Sequence, residues 1–206
     1  MQQGKYIESR IYFNRYLQTF KGKNLLKDAT FKLFLSYWLN DEDDTAMTYW
    51  NKIAAIGQST YESDKYAQKI VLSNELPNKK LTKLRLYTDA GYFNKAFETY
   101  NTTNLSDLTT KKDKIEYYYR AARLYQKTGR LNECMQYYLK VINLSAESKN
   151  TYYYAPNACL QLGYIYTEQH KNPQARTYFH KAIAYKNHEY ENSIEQKAKI
   201  SLSELK

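Results

Sequence analysis

Residues Asn40 to Asp44 read NDEDD, and these four consecutive acids are the densest set of hard oxygen ligands in the chain. Such ligands suit calcium, but the Gly and the distal Glu that complete an EF-hand loop are absent. The start of a helix uses acids equally well, because negative charge is favoured beside the unpaired N–H groups of its first turn. The expectation is therefore a turn followed by a helix start. His170, His180 and His188 fall in a turn, a helix and a connection, without the spacing of a zinc site. Gly22-Lys23 lacks the glycine-rich run of a phosphate loop. Cys134 and Cys159 occupy small or apolar helical positions, which implies buried thiols rather than a disulfide framework. No Ser, Cys or carboxylate has a base partner recognisable along the sequence. The chain is expected to be non-catalytic, with no cofactor and no metal.

The elements that position these residues are helices. Gly and Pro together number nine against 24 Tyr in 206 residues, a balance with few helix breakers. Tyrosine suits a core only two helices thick, since its ring packs inside while its hydroxyl reaches water. The alternative use is an aromatic ligand groove. No apolar run approaches membrane-spanning length, and Met1 to Lys5 is not a signal sequence.

Residues 154–186 show the pattern most clearly. Leu162, Gly163 and Tyr166 lie on one helix and Ala175, Phe179 and Ala182 on the next, each set forming an apolar stripe at helical spacing. The small residues let two helix backbones approach while the rings fill the space beside them. The same nine-residue interval from a first-helix Tyr to a small second-helix residue recurs at Tyr37 and Ala46, Tyr87 and Ala96, Tyr125 and Cys134, and Tyr166 and Ala175. Successive tyrosines of this set are 50, 38 and 41 residues apart, with the extra residues falling between units.

This L-G-x-x-Y…A-x-x-x-F-x-x-A order resembles the tetratricopeptide repeat, or TPR. The reading is a single all-α domain over 1–206, an α-solenoid of TPR-like antiparallel helix hairpins. It comprises a half repeat at 1–19, repeats at 25–56, 78–102, 112–145 and 152–186, an extra helix at 60–75 and a C-terminal capping helix at 190–206. The half repeat, in which Ser9, Phe13 and Tyr16 keep second-helix spacing, lacks its first helix. That gap predicts an uncovered apolar stripe, self-association through the open hairpin, and a longer parent protein. Pro156 disfavours helix at Ala155, so the helix there either starts with Pro in its first turn or bends.

The chain is also similar to a group of bacterial TPR proteins through FKGKNLLKDA at 20–29, KIEYYYRAARLY at 114–125 and NHEYENSIEQKAK at 187–199. More distantly, FKLFLSYWL and residues 154–192 are similar to the eukaryotic tetratricopeptide repeat protein 39 family. The resemblance implies the C-terminal portion of a larger, bacterial helical-repeat protein, soluble as written, whose parent is exported to the periplasm or cell envelope in members with a secretion signal. It carries over no catalytic residue.

First-helix faces that do not pack on second helices should line a groove. One helical step from the core stripe lie Arg85, Arg123 and Tyr164, with Tyr119, Arg120 and Lys127 beside them. These residues form the expected site for an extended or helical peptide, with Arg for acidic groups and Tyr for apolar contact. The same residues would equally form a solvated wall of snorkelling side chains. Glu116 and Gln161 stand where a TPR carboxylate clamp would want Lys and Asn, which argues against that clamp. The net charge of +10 admits a second partner class, single-stranded nucleic acid on the basic, Tyr-rich C-terminal half. Acids interspersed with the bases disfavour it, and no RNA-binding motif is present.

Overall fold

The computed structural model describes residues 1, 3–148 and 152–205. Among these residues there are eleven α-helices, one 3-10 turn and no strand. The chain divides into two compact units, Met1–Tyr92 and Phe93–Lys206. The first contains α1 (Tyr6–Thr19), α2 (Leu26–Trp38), α3 (Asp43–Ile53), α4 (Glu62–Leu72) and α5 (Lys79–Asp89). The second contains α6 (Phe93–Asn101), the 3-10 turn Leu105–Asp107, α7 (Lys111–Lys127), α8 (Leu131–Ala146), α9 (Tyr154–Glu168), α10 (Asn172–Ala184) and α11 (Glu191–Glu204).

One local device ends four helices. The carbonyls of Tyr37, Tyr87, Tyr125 and Tyr166 accept the N–H groups of Glu42, Tyr92, Arg130 and Lys171 at 3.1, 2.9, 2.9 and 2.8 Å. Each is the long bond of a Schellman turn, which requires a left-handed residue. Asp41, Gly91, Gly129 and His170 supply it, with φ of 59, 78, 74 and 56°. Within α2–α3, α7–α8 and α9–α10 the turn explains the nine-residue interval, because it fixes how many residues separate a first-helix Tyr from the small residue of the helix packed against it. Gly4, with φ of 80°, stands at the matching distance before α1.

A ring pair recurs beside the small-residue contact. Tyr37 stacks on Tyr49, Tyr125 on Tyr137 and Tyr166 on Tyr178, with centroids 5.3, 5.3 and 5.4 Å apart and planes within 13° of parallel. These pairs join α2 to α3, α7 to α8 and α9 to α10. Offset stacking of this kind contributes about 0.5–1.5 kcal/mol per pair beyond simple burial. Several hydroxyls bond inside the protein instead of reaching water. Tyr138 donates to the Gln126 Oε1 at 2.7 Å, and the Tyr100 and Tyr137 oxygens lie 2.5 Å apart.

In the first unit α4 ties α2 and α3 together. Leu25, in the cap position of α2, is left-handed and offers no capping side chain. The fully buried Asp64 of α4 replaces it, accepting the Leu25 and Asp28 N–H groups at 2.7 and 3.0 Å. In turn Lys27 of α2 is buried and donates to the Ile53 and Ala54 carbonyls that end α3, at 3.1 and 2.7 Å. Both charges sit where helix ends favour them. At the outer face of α1, Ile7, Ile11 and Tyr12 are 64, 66 and 72% exposed.

In the second unit the core runs from Ile115, Ala122 and Tyr138 through Ala158 and Leu162 to Phe179, Ile194 and Ala198. Pro156 sits in the first turn of α9, where no intrahelical N–H partner is lost. The capping helix α11 packs on α10 and α9. Gly163 of α9 lies under the Phe179 ring, and a Cβ built there would stand 2.3 Å from the ring. Gly→Ala in an open helix gains about 1 kcal/mol. Gly163→Ala is expected instead to lose about 1–3 kcal/mol, because the buried ring has nowhere to go. A urea titration that showed a gain would contradict this packing.

Candidate functional site

The four acids of NDEDD are absorbed by the fold. Asp41 makes the left-handed turn, and Asp43 and Asp44 open α3. Lys79 reaches the Asp41 and Asp43 Oδ1 atoms at 2.8 and 2.7 Å, while Arg10 forks onto Glu42 at 2.8 and 3.2 Å. The histidines are dispersed: His170 makes a turn, His180 is exposed on α10, and His188 is buried beside the Glu189 carbonyl. No group of three or more His, Cys, Asp or Glu among the described residues could hold a metal ion. Cys134 and Cys159 are fully buried, and burial pushes both thiols up to about 12, so neither is a thiolate at neutral pH.

Five of the six expected groove residues lie in the second unit. Tyr119 and Arg120 are only 4 and 6% exposed. The Arg120 Nη2 donates to the Glu116 Oε1 at 2.8 Å and to the Tyr153 hydroxyl at 2.9 Å, and its Nε donates to the same Glu116 oxygen at 3.0 Å. Its guanidinium also lies 5.3 Å from the Tyr119 ring centroid and 5.6 Å from that of Tyr154. Burial acts to lower its pKa, but Tyr153 and Glu116 more than offset that and hold it well above the ordinary value. Arg120 and Tyr119 thus clasp α7 to the start of α9, and neither offers a ligand an open surface.

Arg123 differs. Its Nη1 donates to the Gln126 Oε1 at 2.8 Å and to the Gln161 Oε1 at 3.2 Å. The Gln126 Nε2 donates to the same Gln161 oxygen at 3.0 Å, and the Gln161 Nε2 to the Asn157 Oδ1 at 3.4 Å. A row of amides therefore runs from α7 to α9 with a guanidinium set into it. Lys127 is exposed one helical turn beyond Arg123, and Tyr164 is half-buried with its ring edge-on to Phe179 at 5.6 Å. Arg85 is half-buried on α5, in the first unit.

The amide row was not anticipated, although Asn157, Gln161 and Gln126 carry a signal: two lie four apart on one helix, and the third shares the Arg123 turn. Chemically, this face offers two cations and a set of amide donors and acceptors, and no arranged nucleophile and base.

Hairpins closed by one turn and packed through small residues define a helical-repeat protein of the α-solenoid class. The tetratricopeptide repeat family model matches residues 115–148, which span most of α7 and all of α8. Residues 115–148 are therefore similar to a tetratricopeptide repeat, and they lie in a chain whose described elements are all helical, with TPR-like packing of adjacent helices. Comparison with curated proteins gives no significant match. Comparison with solved structures gives none either. No described helix is long and apolar enough to cross a membrane.

Proposed function

We propose that the chain is a non-catalytic protein-interaction scaffold, and that the α7–α9 face of its second unit binds an extended or helical peptide bearing acidic groups. The observation that carries this reading is the row of Gln126, Gln161 and Asn157 amides flanked by Arg123 and Lys127. Side-chain amides match the donors and acceptors of a peptide backbone, and the two cations supply preference for carboxylates. Tyr164 adds apolar contact at the edge.

A peptide library displayed against the protein should enrich sequences rich in Asp and Glu. Arg123→Glu combined with Lys127→Glu should weaken the enriched peptides by about tenfold or more, and Lys127→Glu alone, at an exposed side chain outside the Arg123 hydrogen bonds, should weaken them with the melting temperature little changed. Enrichment no better than for a scrambled library, or an unchanged affinity, would sink the assignment. Tight binding of oligothymidylate that collapses with salt would transfer the face to single-stranded nucleic acid.

A further inference from the structure

The second unit has another groove, of about 630 Å³, between the 3-10 turn Leu105–Asp107, α7 and α8. Its apolar part is made by Leu105, Tyr118 and Leu144, and Lys114 and Lys140 border it. Lys114 and Tyr118 are one helical turn apart on α7, and Lys140 and Leu144 one turn apart on α8, so each helix presents one cation beside one apolar group. Ser106 and Asn143 complete the lining, which contains no carboxylate among the described residues.

The face is distinct from the amide row. Nine residues separate Lys114 from Arg123, and at about 3.6 residues per turn that places them on opposite sides of α7. A peptide held at one face would leave the other uncovered.

Three observations favour a ligand here. Leu105 is 41% exposed, an apolar side chain left in water beside two other apolar groups. Both lysines are exposed, and neither forms an ion pair among the described residues, whereas nearby Lys111 reaches Glu147 at 3.3 Å; the Lys140 ammonium rests 5.3 and 5.4 Å from the Tyr118 and Tyr137 ring centroids, which holds its charge at the edge of the floor. The apolar floor is also preformed. Tyr118 stacks on Tyr137 with centroids 5.9 Å apart and meets Tyr117 edge-on at 5.4 Å, so a ligand need not order it.

We propose that this groove is a second peptide-binding surface, taking a segment in which one apolar side chain is flanked by carboxylates. The apolar side chain would lie on Leu105, Leu144 and the edge of Tyr118, with a carboxylate at each lysine. This chemistry favours a peptide over a nucleic acid. Two of the three floor residues are aliphatic, and a face of Tyr118 is already taken by its stack on Tyr137, which limits base stacking.

The test is a charge swap on the full chain, using the acetylated and amidated tetrapeptide Asp-Leu-Phe-Glu and its counterpart Lys-Leu-Phe-Lys. Wild-type protein should show saturable NMR shifts of the amides of Leu105, Lys114, Tyr118 and Leu144 with the acidic peptide only. Lys114→Glu combined with Lys140→Glu should weaken that binding by about tenfold or more and gain binding of the basic peptide. Peptides selected on the Arg123 face should bind this variant unchanged, so failure here is separable from failure of the proposed function. No saturable shifts at these residues, equal binding of both peptides, or preference for oligothymidylate at this groove would overturn the proposal. Leu144→Asp should abolish the acidic-peptide shifts, and their persistence would count against the apolar floor.

Discussion

Arg120→Ala should lower the unfolding free energy of the second unit by about 3–5 kcal/mol, the cost of stripping one partner from a buried ion pair. The substitution removes both guanidinium bonds to Glu116 and the one to Tyr153, and with them the clasp between α7 and the start of α9. Arg120→Glu should cost more, because it places a second carboxylate within one helical turn of Glu116. By contrast, Arg120→Met with Glu116→Gln should recover part of the loss, since a neutral pair removes the buried charge along with the bond. A urea titration giving less than about 1 kcal/mol for Arg120→Ala, the usual yield of an exposed pair, would show that the clasp is not load-sharing. For the same reason a charge reversal at Arg120 tests folding, and binding is better probed at Arg123 and Lys127.

Asp64→Ala is the second large effect, expected at about 3 kcal/mol in the first unit. Two N–H groups at the start of α2 lose their acceptor, each at about 1–3 kcal/mol if left buried and unbonded, and the helix end loses its compensating negative charge. For a unit of this size the midpoint should fall by on the order of 15 °C. Asp64→Asn keeps one acceptor oxygen and should cost roughly half as much. A midpoint unmoved by Asp64→Ala would mean that water or a neighbouring side chain takes over both N–H groups.

The fold class was legible because the repeat is closed locally. A first-helix Tyr and the left-handed residue four positions later belong to one turn, and the small residue nine positions later lies in the first turn of the helix that follows, so their spacing survives in the sequence. His170 shows how little that turn needs glycine, and it accounts for a histidine that could otherwise be read as a ligand. The twelve-residue spacing of Tyr37 with Tyr49, Tyr125 with Tyr137 and Tyr166 with Tyr178 was equally present, but a high tyrosine content hides any one pair among many.

Burial on the groove face was not legible. Helical phase gives the side of α7 on which Tyr119 and Arg120 lie, but not that Tyr153 and Tyr154, more than thirty residues on, close over them. The Asp64 cap was hidden for the same reason, because its partners Leu25 and Asp28 belong to a different helix. Local chemistry writes itself into spacing, whereas a residue covered by a distant element looks like any polar side chain on a helix.

Both tryptophans, Trp38 and Trp50, stand in the first unit, packed on Phe34 at 5.9 and 4.8 Å, and the second unit has none. Intrinsic indole fluorescence consequently watches one half of the chain alone. Near-ultraviolet dichroism reports on both halves, because near-parallel phenol pairs join α2 to α3 as well as α7 to α8 and α9 to α10. Fluorescence and dichroism curves that coincide mean that the two halves melt together, and curves that separate mean that they melt in sequence, a distinction read without attaching a dye.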